Sequence, residues 1–227
     1  MRRRVAYAAF MAAPSMSMNK VIHCAVRRDL SRFKTALEKF SDGDKARAAA
    51  LHRAWQNFDA QLTDHHEGEH EIAWAGLKAV GVDQATIDGF DHEHELMAAD
   101  LATTRAAMEK LAASASKADA DAAGAAMAKL EATTTLHLDH EEATSEPLYQ
   151  KEYDNPAIKE MGKKFSRRTG IGKAGAFMAW LEDGATAEEK AGLRDNVPGP
   201  VVTIIGGLFG RGYRREVAPV WASSGSF

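Results

Sequence analysis

Apolar residues recur along the chain in alternating steps of three and four, the spacing that places side chains on one face of an α-helix. Four segments carry such a stripe, at about residues 19–40, 44–80, 83–113 and 122–153. The first stripe is Val26, Leu30, Phe33, Leu37 and Phe40. Because short polar turns separate the segments, neighbouring helices are expected to run antiparallel. The pattern predicts an all-α protein, an up-down-up-down four-helix bundle with a short-helical C-terminal extension.

The first helix of the extension is predicted to begin at Asn155, and the short helices of the extension are expected to pack over the bundle. Asn155 followed by proline is typical of a helix start, and Thr186 with Glu189 makes a capping box. The apolar run Val201–Phe209 is much shorter than the ~18 residues that span a bilayer. The residues expected to pack on the bundle are Phe177, Trp180, Leu181, Val202, Ile205 and Phe209. The alternative is that the extension contacts a partner or a membrane surface, with the arginines at 211, 214 and 215 contributing to the contact.

The same pattern divides the chain into three parts. Residues 1–18 form a weak N-terminal extension, for which a start codon placed too early and a weak signal peptide are two explanations. Residues 19–153 form the bundle, and residues 154–227 form the C-terminal helical extension.

Each stripe, continued by its own step, reaches one or two ionisable residues where the periodicity requires core. In the order of the four helices these are His23; His65 and Glu69; His94; and His137 and Glu141. In the second helix the stripe then returns to an apolar residue, Ile72. Six such groups buried without partners would cost more than the ~5–15 kcal/mol stability of a typical domain. A metal centre would compensate all six, so these residues are the predicted ligands.

The spacing of these histidines repeats. His23 and His65 are separated by 42 residues, and His94 and His137 by 43. Each single histidine is therefore followed, one helical hairpin later, by a His-x-x-x-Glu pair whose side chains share a helix face. Two similar hairpins that contribute matching ligands predict a site for two metal ions.

The other five of the nine histidines are placed by helical phase. His92 lies about 200° around its helix from His94, so the two cannot both face the core. His66 and His140 are expected to lie beside the ligands and not among them, and His52 and His70 to lie at the surface.

Composition and charge exclude several classes of protein. The formal net charge is only −3 and no long block of one sign occurs, which argues against binding to nucleic acid. The single cysteine, Cys24, rules out an internal disulfide and fits a reducing, cytoplasmic compartment. It is read as an inert side chain, with a redox thiol as the alternative. No apolar run is long enough for a transmembrane segment.

These residues resemble the hemerythrin-like, or HHE cation-binding, proteins. The matching segments are Ile22-His23 through Asp29-Leu30, His65-His66-Glu67-Gly68-Glu69, Glu93-His94, His137 through Glu142, and Pro147-Leu148. The resemblance covers about Asn19 to Tyr153, and the C-terminal part is similar to the extension of actinobacterial members.

The resemblance implies a non-haem di-iron centre with an oxo or hydroxo bridge. Carried over by position, Glu69 and Glu141 would bridge the irons, and the terminal ligands would be His23, His65, His94 and His137. The third helix offers one histidine where the oxygen carriers have two, and both bridges are glutamates, which argues against simple oxygen carriage. None of the tyrosines lies on a stripe beside the ligands, although Tyr149 is two turns beyond Glu141.

The predicted function is to bind or react with O2, nitric oxide or peroxide, in sensing or in protection from oxidative or nitrosative stress. Four imidazoles and two carboxylates carry less negative charge than the four-carboxylate ferritin-like sites, so modest redox chemistry is expected. The alternatives are a peroxidase or catalase-like enzyme, with His140 as the best proton donor, an iron store, and a metal-free structural bundle. No protein partner is indicated.

Overall fold

The structure of the protein is a computed structural model that describes residues 13–222. These residues form helices joined by short turns, with no β-strand among them. The helices are α1 (Met18–Glu38), α2 (Lys45–Gly68), a π-helical turn (Glu69–Ala73), α3 (Trp74–Ala79), α4 (Gln84–Ser114), α5 (Lys117–Lys151), α6 (Pro156–Glu182), α7 (Ala187–Asn196), α8 (Gly199–Phe209), α9 (Arg211–Glu216) and α10 (Ala218–Ala222). Most of the predicted N-terminal extension, residues 1–12, lies outside the described part of the chain.

The four predicted long helices are present and pack as a helical bundle, which confirms the all-α prediction. α1 packs along α5, α5 along α4, and α4 along α2, while α2 touches α1 more lightly. The stripes meet in one apolar core with fully buried side chains, among them Leu30, Phe33, Trp55, Phe58, Met108, Met127 and Leu130. A smaller apolar cluster around Trp74 and Phe90 closes the other end of the bundle.

Side-chain caps fix where the bundle helices begin. Ser17, Asp44, Asp83 and Ser116 each accept a hydrogen bond from the backbone N–H three residues later, which satisfies a donor at the first turn. Because Ser116 caps α5, the turn expected at 114–121 is shorter than predicted and α5 starts at Lys117.

The second long helix contains the main departure from the predicted pattern. A π-helical turn at Glu69–Ala73 lies between α2 and α3, and such a turn adds one residue to the helical repeat. The prediction of Ile72 as core is therefore wrong: Ile72 is only half-buried, whereas Trp74 and Leu77 are buried. The extra residue moves the buried face one position along the sequence.

The C-terminal helices pack on the bundle through α6, and α7, α9 and α10 also contact it directly. Asn155 caps α6 as predicted, and Gly170, with φ 60° and ψ 164°, kinks it into two parts. Trp180 is buried and donates from Nε1 to the buried carboxylate of Asp29 on α1, at 2.8 Å. Arg28 and Arg32 on α1 also donate to Asp29. A polar network in the interior therefore joins α6 to α1.

Other predictions for the extension had mixed outcomes. The capping box of Thr186 and Glu189 opens α7, and Val202 on α8 is buried, both as predicted. The prediction that Phe209 packs inward is wrong, because half of its surface is exposed. Within residues 13–222 no helix is both long and apolar enough to cross a membrane.

Cys24 lies half-buried on α1, near α7. Burial, together with the charges of Glu189 and Glu142, raises the pKa of its thiol to about 11. The group is therefore a protonated thiol near neutral pH, which supports its interpretation as an inert side chain.

Candidate metal centre

The predicted ligands converge in the interior of the bundle, where α1, α2, α4 and α5 meet. Their donor atoms form two groups, and within each group the atoms all lie within 4.8 Å of one another. The first group is His23, His65, Glu69 and Glu141; the second is His66, Glu69, His94 and His137. Glu69 belongs to both, so the site is a pair of adjoining ligand sets.

The first group has the spacing of ligands around one ion. His23 Nε2 lies 3.1 Å from His65 Nε2 and 3.2 Å from Glu141 Oε2, and His65 Nε2 lies 3.1 Å from Glu69 Oε1. Two ligands at right angles, each about 2.1 Å from an ion, are about 3.0 Å apart. Four side chains from three helices therefore present their donor atoms to a common point.

The second group lies on the other side of Glu69. His94 Nε2 is 3.0 Å from His137 Nε2 and 3.4 Å from Glu69 Oε2. The ring of His66 stacks on that of His94, with centroids 4.3 Å apart. The two oxygens of Glu69 thus face different groups, Oε1 the first and Oε2 the second. This is the arrangement of a carboxylate that bridges two ions.

Buried polar atoms without hydrogen-bond partners concentrate here. Nine such side-chain atoms occur among the described residues, and four belong to the site: both oxygens of Glu69, Glu141 Oε2 and His66 Nε2. Glu69 Oε1 lies 3.1 Å from His65 Nε2 but makes no hydrogen bond, so closeness alone does not satisfy it. Buried orphaned acceptors are costly unless a cation compensates them, so the residues present fit a metal centre.

The electrostatics of the site agree with this interpretation except at His23, where burial lowers the pKa but the carboxylates of Glu141 and Glu142 raise it by more. Burial and neighbouring histidines lower the pKa of His65 and His66 well below the usual value, and the same causes lower that of His94 to about 4. Burial and the adjacent carboxyl of Glu141 raise the pKa of Glu69 well above its usual value. Neutral imidazoles are the form that ligates a metal. A cation would also relieve the repulsion between the two carboxylates.

Glu141 is held differently from Glu69. Its Oε2 faces His23, while its Oε1 accepts a hydrogen bond of 3.0 Å from the side chain of Asn19. Although burial raises the pKa of Glu141, the close approach of the His23 imidazole and the charges of the nearby histidines lower it to about 2. Glu141 is thus an anion of the first group, whereas only Glu69 contacts both groups.

His66 lies closer to the centre than predicted. Its helical phase predicted a position beside the ligands and not among them. The structure places the buried Nε2 of His66 within the second group. Consecutive residues on a helix are about 100° apart, so His65 and His66 can serve two adjoining groups but not one. The signal in the sequence was the His-His pair itself.

A carboxylate orients the histidine on α1. Glu142 Oε1 lies 3.0 Å from Nδ1 of His23, and Arg27 also donates to this carboxylate. Arg27 makes a second hydrogen bond, of 2.6 Å, to Asp139. With Nδ1 held in this way, Nε2 of His23 is directed at the first group.

A second carboxylate orients His137. Glu93 Oε2 lies 2.9 Å from Nδ1 of His137, and Glu93 Oε1 lies 2.7 Å from Nδ1 of His140. The side chain of His140 is 46% exposed, so a chain of hydrogen bonds runs from solvent to the second group. His140 therefore lies beside the ligands, as expected, and is connected to them through Glu93.

Of the remaining histidines, His70 and His92 are exposed and face carboxylates outside the site: His70 lies 3.1 Å from Asp91 and His92 lies 3.7 Å from Glu95. Trp74 stacks on His94, with ring centroids 5.7 Å apart, and on Phe90. Burial raises the pKa of the Tyr149 phenol well above its usual value, and the negative charges of Glu141 and Glu69 raise it further. Tyr149 therefore lies near the site. Aromatic side chains thus close one end of the centre.

A cavity approaches the first group from the side of the extension. It has a volume of about 760 Å³ and lies between α2 and the part of α6 around the kink at Gly170. His65 and Ile22 line its inner part, and Phe165, Gly172 and Phe177 line it from α6. The extension therefore forms one wall of a recess that reaches a residue of the site.

Comparison with known proteins adds one match. A protein-family model described as "Hemerythrin HHE cation binding domain" matches residues 20–149. The matched segment includes every residue of both ligand groups. No curated protein and no solved structure gives a significant match to the chain.

Proposed function

Because the chain belongs to the hemerythrin HHE cation-binding family, we propose that its two ligand groups hold two iron ions bridged by Glu69. The single observation that carries this proposal is the position of Glu69. Its two oxygens face different groups, 3.1 Å from His65 Nε2 and 3.4 Å from His94 Nε2. One carboxylate shared in this way favours two ions over one.

The donor set favours iron among the common metals. Five imidazoles and two carboxylates make a mixed nitrogen and oxygen set, without the thiolates of structural zinc sites or the all-oxygen sets of magnesium and calcium. His23, His65 and Glu141 would hold one ion, and His66, His94 and His137 the other.

The surroundings of the site favour a small ligand. Bound iron would supply binding and redox chemistry toward dioxygen, nitric oxide or peroxide. Trp74 and Phe90 close one end of the centre with aromatic rings, and most of the ligand side chains are buried, so the proposed ligand is a small molecule that can enter beside them. The proposed role is to bind or react with such a molecule, in sensing or in protection from oxidative or nitrosative stress.

One observation favours a catalytic variant of this role, the disposal of peroxide. His140, Glu93 and His137 form a hydrogen-bonded chain from solvent to the second group. Such a chain can deliver protons to a reaction that consumes them. His140→Gln should then slow peroxide consumption about tenfold or more at unchanged iron content. Equal rates in this variant and the wild type would leave only binding.

The test of the di-iron proposal is a count of bound iron. Protein reconstituted anaerobically with Fe(II) should hold about two ions per chain after removal of excess metal. His94→Ala should retain about one, and Glu69→Ala, which disturbs both groups, should retain fewer than one.

His92→Ala is the matched control, because His92 lies on the same helix as His94 with its ring exposed. Circular dichroism checks that each variant is folded. A wild-type stoichiometry of one, or no bound iron after reconstitution, contradicts the proposal.

The ligand is then identified from the optical spectrum of the iron-loaded protein. Oxygen, nitric oxide and hydrogen peroxide are added separately, and the absorption bands are followed with time. A stable new band supports a sensor or carrier, and sustained oxygen release from peroxide supports an enzyme.

A further inference from the structure

Helix α8 exposes a continuous apolar face on the side away from the bundle. Six large apolar side chains are exposed among the described residues, and four of them lie on this one helix. They are Val201 (44% exposed), Ile204 (56%), Leu208 (55%) and Phe209 (50%). Their spacing of three, four and one places them on one side, and no residue of α8 is ionisable.

The opposite face of α8 contacts α6 mainly through small residues. A Cβ added at Gly175 of α6 would clash with the backbone of Phe209, and one at Gly210 would lie 2.8 Å from Cβ of Ala179. Gly206 is buried against Met178. Four of the six large apolar residues of α8 therefore face outward, while Val202 and Gly206 are buried. A helix that only had to cover the bundle would show the reverse distribution, because burial of large apolar groups is what stabilises packing.

Positive charge follows immediately after this face. Helix α9 carries Arg211, Arg214 and Arg215, all exposed. Arg214 donates to the carbonyls of Gly206 and Gly207 and so stays beside the end of α8. The one acidic residue of α9, Glu216, pairs with Arg215 and leaves a net positive charge there. An apolar strip with a basic end complements a surface that has an anionic outer layer and an apolar layer below it.

From this we infer that α8 is a membrane-surface anchor: its outer face inserts into a bilayer that contains anionic lipid, and the arginines of α9 contact the lipid phosphates. Helices of this kind bury their apolar face at the boundary of headgroups and acyl chains, aided by attraction between basic residues and anionic lipid. At 11 residues α8 is about 16 Å long, about half the bilayer core. It can therefore lie in the surface but cannot cross the membrane.

The size of the strip argues against a second copy as its occupant. A helix about 16 Å long and about 10–12 Å across offers a face on the order of a few hundred Å². A stable interface buries about 800 Å² on each partner. The charge and the area together favour the lipid surface.

The experiment is co-sedimentation of the full-length protein with vesicles. One set is pure phosphatidylcholine, and the other contains phosphatidylserine. The wild type should bind the anionic vesicles about tenfold more strongly than the neutral ones, and added salt should weaken this binding. Arg211→Glu with Arg215→Glu should reduce the preference for anionic lipid.

Ile204→Glu with Leu208→Glu should lower binding to anionic vesicles about tenfold or more. The matched control is Leu96→Glu with Leu136→Glu, which adds the same charge at two exposed leucines of the bundle (52% and 72% exposed). The control should bind within about twofold of the wild type if α8 is the anchor. Circular dichroism confirms that both pairs remain folded, and iron content is irrelevant to the assay.

Three outcomes overturn the inference. The wild type fails to bind anionic vesicles, or the α8 variant binds as well as the wild type, or the control loses binding equally. Light scattering after gel filtration supplies the remaining comparison. If the wild type is a dimer, the α8 variant is a monomer, and neither binds vesicles, then a second copy covers α8 and the membrane does not.

Discussion

At the residue scale, two adjacent histidines on α2 face different ligand groups. His65 faces the group that contains His23 and Glu141, and His66 faces the group on α4 and α5. Glu69, one turn later, lies between the two and presents one oxygen to each. A single turn of helix thus contributes to both halves of the centre. Substitution of one residue in this turn can therefore test one ligand group separately from the other.

His66→Ala should reduce bound iron from about two to about one per chain, because it removes one of three imidazoles from the second group. Metal analysis after anaerobic reconstitution measures the change. His70→Ala is the control, since His70 is exposed four residues later and bonds to Asp91. If His66→Ala keeps the full iron content and affinity, His66 is a neighbour of the centre and not a ligand.

Glu93→Gln should weaken metal binding about 10–100-fold, since an amide no longer accepts from both His137 and His140. Competition with a coloured chelator measures the affinity. Glu95→Gln is matched in chemistry and helix, and its side chain is exposed. Equal losses in the two variants would contradict a role for Glu93 in orienting His137.

At the scale of the element, the π-helical turn explains why the sequence predicted the buried face of the second long helix before Glu69 but not after it. The three- and four-residue steps predicted the buried faces up to Glu69 because that stretch is regular helix. Beyond it the steps point to Ile72, whereas Trp74 and Leu77 are buried. The extra residue of a π turn arises from backbone hydrogen bonds and packing, which leave no period in the sequence.

The contact between Asp29 and Trp180 was equally invisible in the sequence. The two residues are 151 positions apart, and neither interrupts its own pattern in a way that indicates the other. Helical phase could predict which residues face inward, but it carries no information on which distant side chain each one meets. His66 shows the same limit, because its role depends on the positions of α4 and α5.

Asp29→Ala should destabilise the protein by about 3–5 kcal/mol, because Trp180 Nε1 loses its acceptor and two arginines lose a buried counter-charge. Urea unfolding followed by circular dichroism measures the free energy of unfolding. Asp121→Ala breaks an exposed pair with Lys117 and should cost less than about 1 kcal/mol. A loss for Asp29→Ala no larger than this control would mean that the network does not join α6 to α1.

In the whole molecule, the C-terminal extension forms a wall beside the metal centre. Phe165 lies so close to Gly68 that a Cβ there would be 2.8 Å from its ring, and Met161 approaches Gly76 in the same way. Arg168 bonds to Glu67 and Glu71 on the segment that carries His65 and His66. The cavity between α2 and α6 is the recess left beside these contacts. We expect small ligands to enter by this route.

Gly172→Trp should slow the association of azide or nitric oxide with the iron-loaded protein, on the order of tenfold, because the ring fills the cavity. A Cβ added at Gly172 meets nothing within 4 Å, and the ring beyond it has the cavity to occupy, so the change should leave the fold intact. Gly162→Trp is the control, since it lies on the same helix with open space around it and does not line the cavity. Stopped-flow mixing measures both rates, and equal rates would exclude this entrance.

The shared Glu69 joins two ligand sets of different composition. One set has two imidazoles and Glu141, and the other has three imidazoles and no carboxylate of its own. Two irons held in this way would be inequivalent, and Mössbauer spectra should resolve two quadrupole doublets of equal area. The side with three imidazoles would place less negative charge on its ion than the side with Glu141, so it would favour the lower oxidation state of a bound iron. The two positions of the site would therefore differ in reduction potential because of the residues that form them.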